Sequence, residues 1–96
     1  MEVRENVDEG KQDQEETLKE ILDSVNELIA ETRASRQELR ETEAELEKQR
    51  SEKKVSALTY NVELERIRRV HQDIDYNLRS LDRQRKIFLE KLSELN

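Results

Sequence analysis

Counting every seventh residue from Leu18 isolates the feature that most constrains this chain. The column reads Leu18, Val25, Thr32, Leu39, Leu46, Lys53, Tyr60, Ile67, Ile74, Leu81, Phe88 and Leu95. Ten of these twelve are apolar, although apolar residues make up only 32% of the sequence. A heptad repeat held over this length places one stripe of a helix against other helices and winds them into a left-handed supercoil. The expected fold class is all-α: a long coiled-coil helix assembling into a helix bundle.

Composition closes the competing routes. Charged residues make up 44% of the chain, and there are two Tyr, one Phe and no Trp. A globular domain of 96 residues must bury most of its surface to offset chain entropy, and the apolar material for that is missing. The same composition suits a disordered chain, so the repeat is what decides for helix. Pro is absent and Gly occurs once, at Gly10, so no helix breaker follows it. β-sheet folds need frequent turn residues, which this chain lacks. The stretch VSALTYNVEL (55–64) alternates like a strand, but a strand with no partner in the chain is not expected.

The absence of Cys excludes disulfides and thiolate metal sites. No apolar run approaches the roughly 18 residues of a membrane span, and the N-terminus carries no apolar signal region. The expectation is a soluble, intracellular, cytoplasmic protein without membrane insertion.

Charge is uneven along the chain. Residues 1–50 carry 8 basic and 16 acidic side chains, and residues 51–96 carry 10 and 8. An acidic half and a mildly basic half suit antiparallel or staggered helix pairing.

Four segments are expected. Residues 1–12 read as a disordered or frayed acidic lead, and residues 13–47 as an N-terminal coiled-coil segment. Residues 48–54 are a polar hinge candidate, and residues 55–96 a C-terminal coiled-coil segment. The helix is expected to start at Asp13, or at Thr17 with Glu20 as a capping box. Within the stretch EKQRSEKK (47–54), every residue except Ser51 is a good helix former, and the column keeps phase from Leu46 to Tyr60. The reading therefore favours one continuous helix. A helical hairpin with its turn near 48–54 is the alternative.

The expected helix-interface seam comprises Leu18, Ile21, Leu22, Val25, Leu28, Ile29, Leu39, Leu46, Ala57, Tyr60, Leu64, Ile67, His71, Ile74, Leu78, Leu81, Arg85, Phe88, Leu92 and Leu95. From Ala57 on, a second column stands four residues after the first, which makes the first column heptad position d and the second position a. Between residues 30 and 54 the flanks turn polar and the seam reads as soft. Val55, Leu58 and Val62 read as a second stripe, wide enough to touch more than one neighbour. Leu at a (Leu64, Leu78, Leu92) with Ile67 and Ile74 at d points to three or four helices rather than a simple dimer.

Nothing in the sequence reads as catalytic. His71 is the only His and sits at an a position, where it tunes pairing; a metal or pH role would need further ligands or partners. Asp73-Ile74-Asp75-Tyr76-Asn77 resembles the opening of a calcium loop, but Leu78 and Gln84 stand where that loop needs Gly and Glu. Asp73 with Asp75, and Glu43 with Glu45, sit two apart on a helix and face apart, so they form no acid–base pair. The basic run Arg66, Arg68, Arg69, Arg79, Arg83, Arg85 and Lys86 is scattered around the helix and diluted by Asp73, Asp75 and Asp82, which speaks against nucleic acid.

The expected function is that of a structural or assembly coiled-coil protein. It would oligomerise, or pair with other coiled-coil proteins, to scaffold or tether a larger complex, cytoskeletal or otherwise. The alternative is a regulatory helical module that folds on a partner protein. No enzyme activity, cofactor or metal is expected. Because the last residue falls one past a seam Leu, the chain also reads as a fragment of a longer rod.

Overall fold

The computed structural model describes the backbone of residues 2–95 and the side chains of residues 10–95. Two helices account for nearly all of it: α1, Glu2–Ser51, and α2, Ala57–Leu95. No strand occurs among the described residues. The all-α expectation holds, with extended helices, and of its two forms the hairpin is the one seen. Residues 55–64 are not a strand, since α2 starts within them.

The favoured single helix is interrupted at residues 52–56, just beyond the middle of the hinge candidate 48–54. Two capping devices account for this. At the end of α1, Lys53 takes a left-handed conformation with φ 59°. That bend lets the Lys53 N–H donate to the Arg50 carbonyl at 3.1 Å and the Lys54 N–H to the Gln49 carbonyl at 2.8 Å. This crossed pair is a Schellman motif, which satisfies carbonyls that a helix end would otherwise orphan. The Arg50 guanidinium also donates to the Val55 carbonyl at 3.2 Å.

At the start of α2, Ser56 is the N-cap. Its hydroxyl oxygen accepts the Thr59 N–H at 3.1 Å, and its carbonyl accepts the Tyr60 N–H at 2.9 Å. Its hydroxyl also donates to Thr59 Oγ1 at 3.0 Å. Val55 and Tyr60 occupy the two positions of a hydrophobic staple, and both are half-buried.

The expected helix start at Asp13 or Thr17 is also corrected, because α1 runs from Glu2 and Thr17 lies inside it. Residues 2–12, expected as a disordered or frayed lead, are helical; Met1 lies outside the described residues. Apart from Gly10 nothing in that stretch opposes helix, and a helix already formed extends at little cost.

The fold has two compact units. One holds Ala30–Arg79, the other the stretch of α1 up to Ile29 with α2 from Ser80. In the first unit the two helix arms around the turn run antiparallel, with Arg36 paired to Asp75 and Glu43 to His71. Its buried residues are Leu46, Ile67, Ile74 and Leu78. In the second unit the buried residues are Leu22, Val25 and Ile29.

Candidate helix-pairing interface

Burial along both helices follows the heptad. In α2 the residues Tyr60, Leu64, Ile67, His71, Ile74, Leu78, Leu81, Arg85, Phe88, Leu92 and Leu95 are each buried or half-buried. They alternate d and a without a break. In α1 the same holds for Leu18, Leu22, Val25, Ile29, Leu39 and Leu46, and Ile21 beside them is half-buried.

Two expected seam residues lie outside it. Leu28 is 49% exposed, because it stands beside the a and d columns of α1, and pairing two helices covers only a narrow stripe. Ala57 is exposed as well, being the first residue of α2 beside the turn.

The soft middle of α1 is not a gap in the seam. Continuing the a column from Leu22 and Ile29 brings Arg36 and Glu43, and the d column includes Thr32. All three are half-buried. The Arg36 guanidinium pairs with the Asp75 carboxylate across the two arms. His71 Nε2 lies 3.4 Å from a Glu43 carboxylate oxygen, a contact that becomes an ion pair when the imidazole is protonated. Neither contact is enclosed: the side chains of Asp75 and Glu43 keep 47% and 34% of their surface in water. Screening limits each pair to at most about 1 kcal/mol. Their larger effect is on register, since a slipped seam would set an apolar side chain against each of these charges.

The seam covers its own residues incompletely. Ile29 is the most enclosed at 3% exposure, and no described side chain falls below 2%. A helix paired on one side only leaves the flanks of its stripe open. In the unit holding Ala30–Arg79, Leu58, Val62, Val70 and Tyr76 are exposed, and Leu58 reaches 75%. Val62 and Val70 line, with Arg66 and Arg69, a shallow groove of about 310 Å³. In the other unit Leu28, Ile87 and Leu89 are exposed. There a groove of about 530 Å³ is lined by Thr17, Leu18 and Leu95 with Asp13, Gln14, Lys91 and Glu94.

Among the described residues no group of three or more His, Asp or Glu is placed to hold a metal ion. No helix there is long and apolar enough to cross a membrane. No family model matches this chain, and neither a curated protein nor a solved structure is similar to it.

Proposed function

We propose that this protein is a structural or assembly component that recruits further helices, scaffolding or tethering a larger complex without catalysing a reaction. The observation that carries this reading is the apolar surface left outside the seam. Leu58, Val62, Val70 and Tyr76 stand in water on a chain with few apolar residues to spare. Val62 and Val70 line one groove, and exposed apolar side chains in this number on one helix support a contact surface. A pair of helices that accepts one or two more becomes the bundle of three or four that the seam composition favours. Copies of this chain or other coiled-coil proteins would supply them, in a cytoplasmic or cytoskeletal setting.

Light-scattering mass of the isolated chain at micromolar concentration tests the proposal, together with the variant Val62→Glu/Tyr76→Glu. The expected result is a discrete helical oligomer that the double variant dissociates while its helicity persists. A helical monomer would sink the self-assembly form of the reading. A largely unfolded monomer would favour instead a module that folds on its partner.

A further inference from the structure

The turn that makes the hairpin is built from residues that make helix. Between Ser51 and Ala57 the chain reads Glu-Lys-Lys-Val-Ser, with no Gly, Pro, Asn or Asp. Lys53 holds the left-handed conformation that a helix end ordinarily gives to Gly. Across this turn the seam keeps phase. Leu46, Lys53 and Tyr60 are successive d positions, and Arg50, Ala57 and Leu64 successive a positions. A hairpin turn imposes no such phase on its two arms, whereas a continuous helix requires it.

The pairing is also symmetric about the turn. Arg36 and Asp75 stand 20 and 19 residues from Ser56, and Glu43 and His71 stand 13 and 15. Two straight helices crossing antiparallel about a dyad at Ser56 would reproduce these pairs, each made between chains instead of within one.

We propose that residues 51–57 straighten in the presence of a second copy and that two chains exchange α2, forming an antiparallel domain-swapped dimer. The seam buried in the hairpin, with Leu46, Ile67 and Ile74, is buried again by the same residues of the other chain. Every backbone bond of the turn has a replacement. The Glu52 N–H keeps its Lys48 acceptor, now at 2.9 Å, while the N–H groups of Lys53 and Lys54 trade the Arg50 and Gln49 carbonyls between them. Lys53 leaves its left-handed conformation. Near the dyad, Lys53 of one chain comes opposite the first turn of α2 of the other, and its aliphatic stem lies along that turn with the ammonium in water. What is lost is the Ser56 cap and the Arg50–Val55 bond. With contacts so nearly conserved, concentration decides between the two forms. This inference rests on the seam and the turn, not on what the outer apolar surface binds.

The test uses the full chain carrying Ser35→Cys and Asn77→Cys, both at exposed positions and outside the apolar surface of the proposed function. It is spin-labelled, diluted into excess unlabelled chain, and followed from low micromolar to millimolar concentration. Light scattering gives the mass, and electron–electron dipolar spectroscopy the separation within one chain. At low concentration we expect short separations, because paired helix axes lie about 8–10 Å apart. At high concentration we expect dimer mass with a separation of about 60 Å, the length of the straightened helix between the labels. Ser56→Ala should raise the association constant by about a hundredfold, roughly tenfold for each chain that gives up its cap and gains a better helix former. Lys53→Gly should lower it. Oligomers showing only short separations overturn the exchange and leave the helix-recruiting reading standing. A monomer with short separations at every concentration overturns the exchange and the self-assembly form of that reading. A monomer with long separations overturns the exchange by removing the hairpin itself.

Discussion

Replacing Ser56 by Ala and, separately, by Gly tests the turn through a rank order that inverts if the turn is absent. In the hairpin the Ser56 hydroxyl accepts the Thr59 N–H at 3.1 Å, and Ser56 is exposed, so the substitution removes a cap and almost no packing. Loss of such a cap costs about 1 kcal/mol for Ala and a few tenths for Gly. The expected order of stability is Ser, then Gly, then Ala. If residues 51–57 were helical in the isolated chain, Ser56 would be an exposed interior position. Ala would then be better than Ser by about 0.5 kcal/mol, and Gly worse by a similar amount. Lys53 gives the same inversion independently. At φ 59°, Gly relieves a left-handed side chain and should add about 1 kcal/mol, whereas in a helix interior it would cost about 1 kcal/mol. Shifts of this size move the melting temperature of a domain of this length by about 4–8 °C. Urea and thermal unfolding followed by far-UV circular dichroism will resolve them, at dilutions where the midpoint no longer depends on concentration. A dilute chain in which Ser56→Ala stabilises and Lys53→Gly destabilises would refute the turn and every argument built on it. An inversion confined to high concentration would instead report the exchanged dimer.

Further outcomes follow from the seam. Ile29→Ala should cost about 2–4 kcal/mol in unfolding free energy, while Leu28→Ala next to it should cost less than about 1 kcal/mol; equal losses would mean that another helix covers Leu28. A double-mutant cycle on Arg36→Ala and Asp75→Ala should give a coupling of about 0.2–1 kcal/mol that fades with added salt, and no coupling at low salt would remove the cross-arm pair. His71→Leu should stabilise the hairpin by about 1 kcal/mol, because a polar group at an a position holds register at the expense of burial. A melting temperature that falls on this change would show that the Glu43 contact outweighs that burial.

The sequence made the periodic parts legible and the connecting part opaque, for physical reasons that can be named. The α2 residues of the expected seam from Tyr60 to Leu95 are each buried or half-buried, in keeping with a period of 3.5 that sets which side chains can meet a partner helix. The polar stretch 47–54 marks the turn only as the alternative to a continuous helix, because the usual signs are missing: Lys53 stands where a C-terminal Gly is usual, and the N-cap Ser56 is answered by Thr59 rather than by Glu. A second trace is Val55-Ser56 ahead of Tyr60, a staple flanking a cap. The a column running on from Leu22 and Ile29 leads to Arg36 and Glu43, whose polar side chains composition alone does not mark as seam. Their partners Asp75 and His71 depend on how the arms fold back, and periodicity along one helix carries no information about that. Leu28 shows the converse error, since an apolar side chain beside the stripe gains little from a single facing helix.

The Schellman–Ser56 turn also fixes an order in time. Its bonds link residues at most five apart, so it can form before any contact between the arms, and it turns α2 back so that Leu46 and Ile67 line one groove. Loop-closure entropy grows with separation, so pairing is expected to spread outward from the turn through Arg36 and Asp75. Folding should then be fast, as for other chains dominated by near-neighbour contacts. Substitutions at Ser56 would slow folding, and those at Ile29 would mainly hasten unfolding.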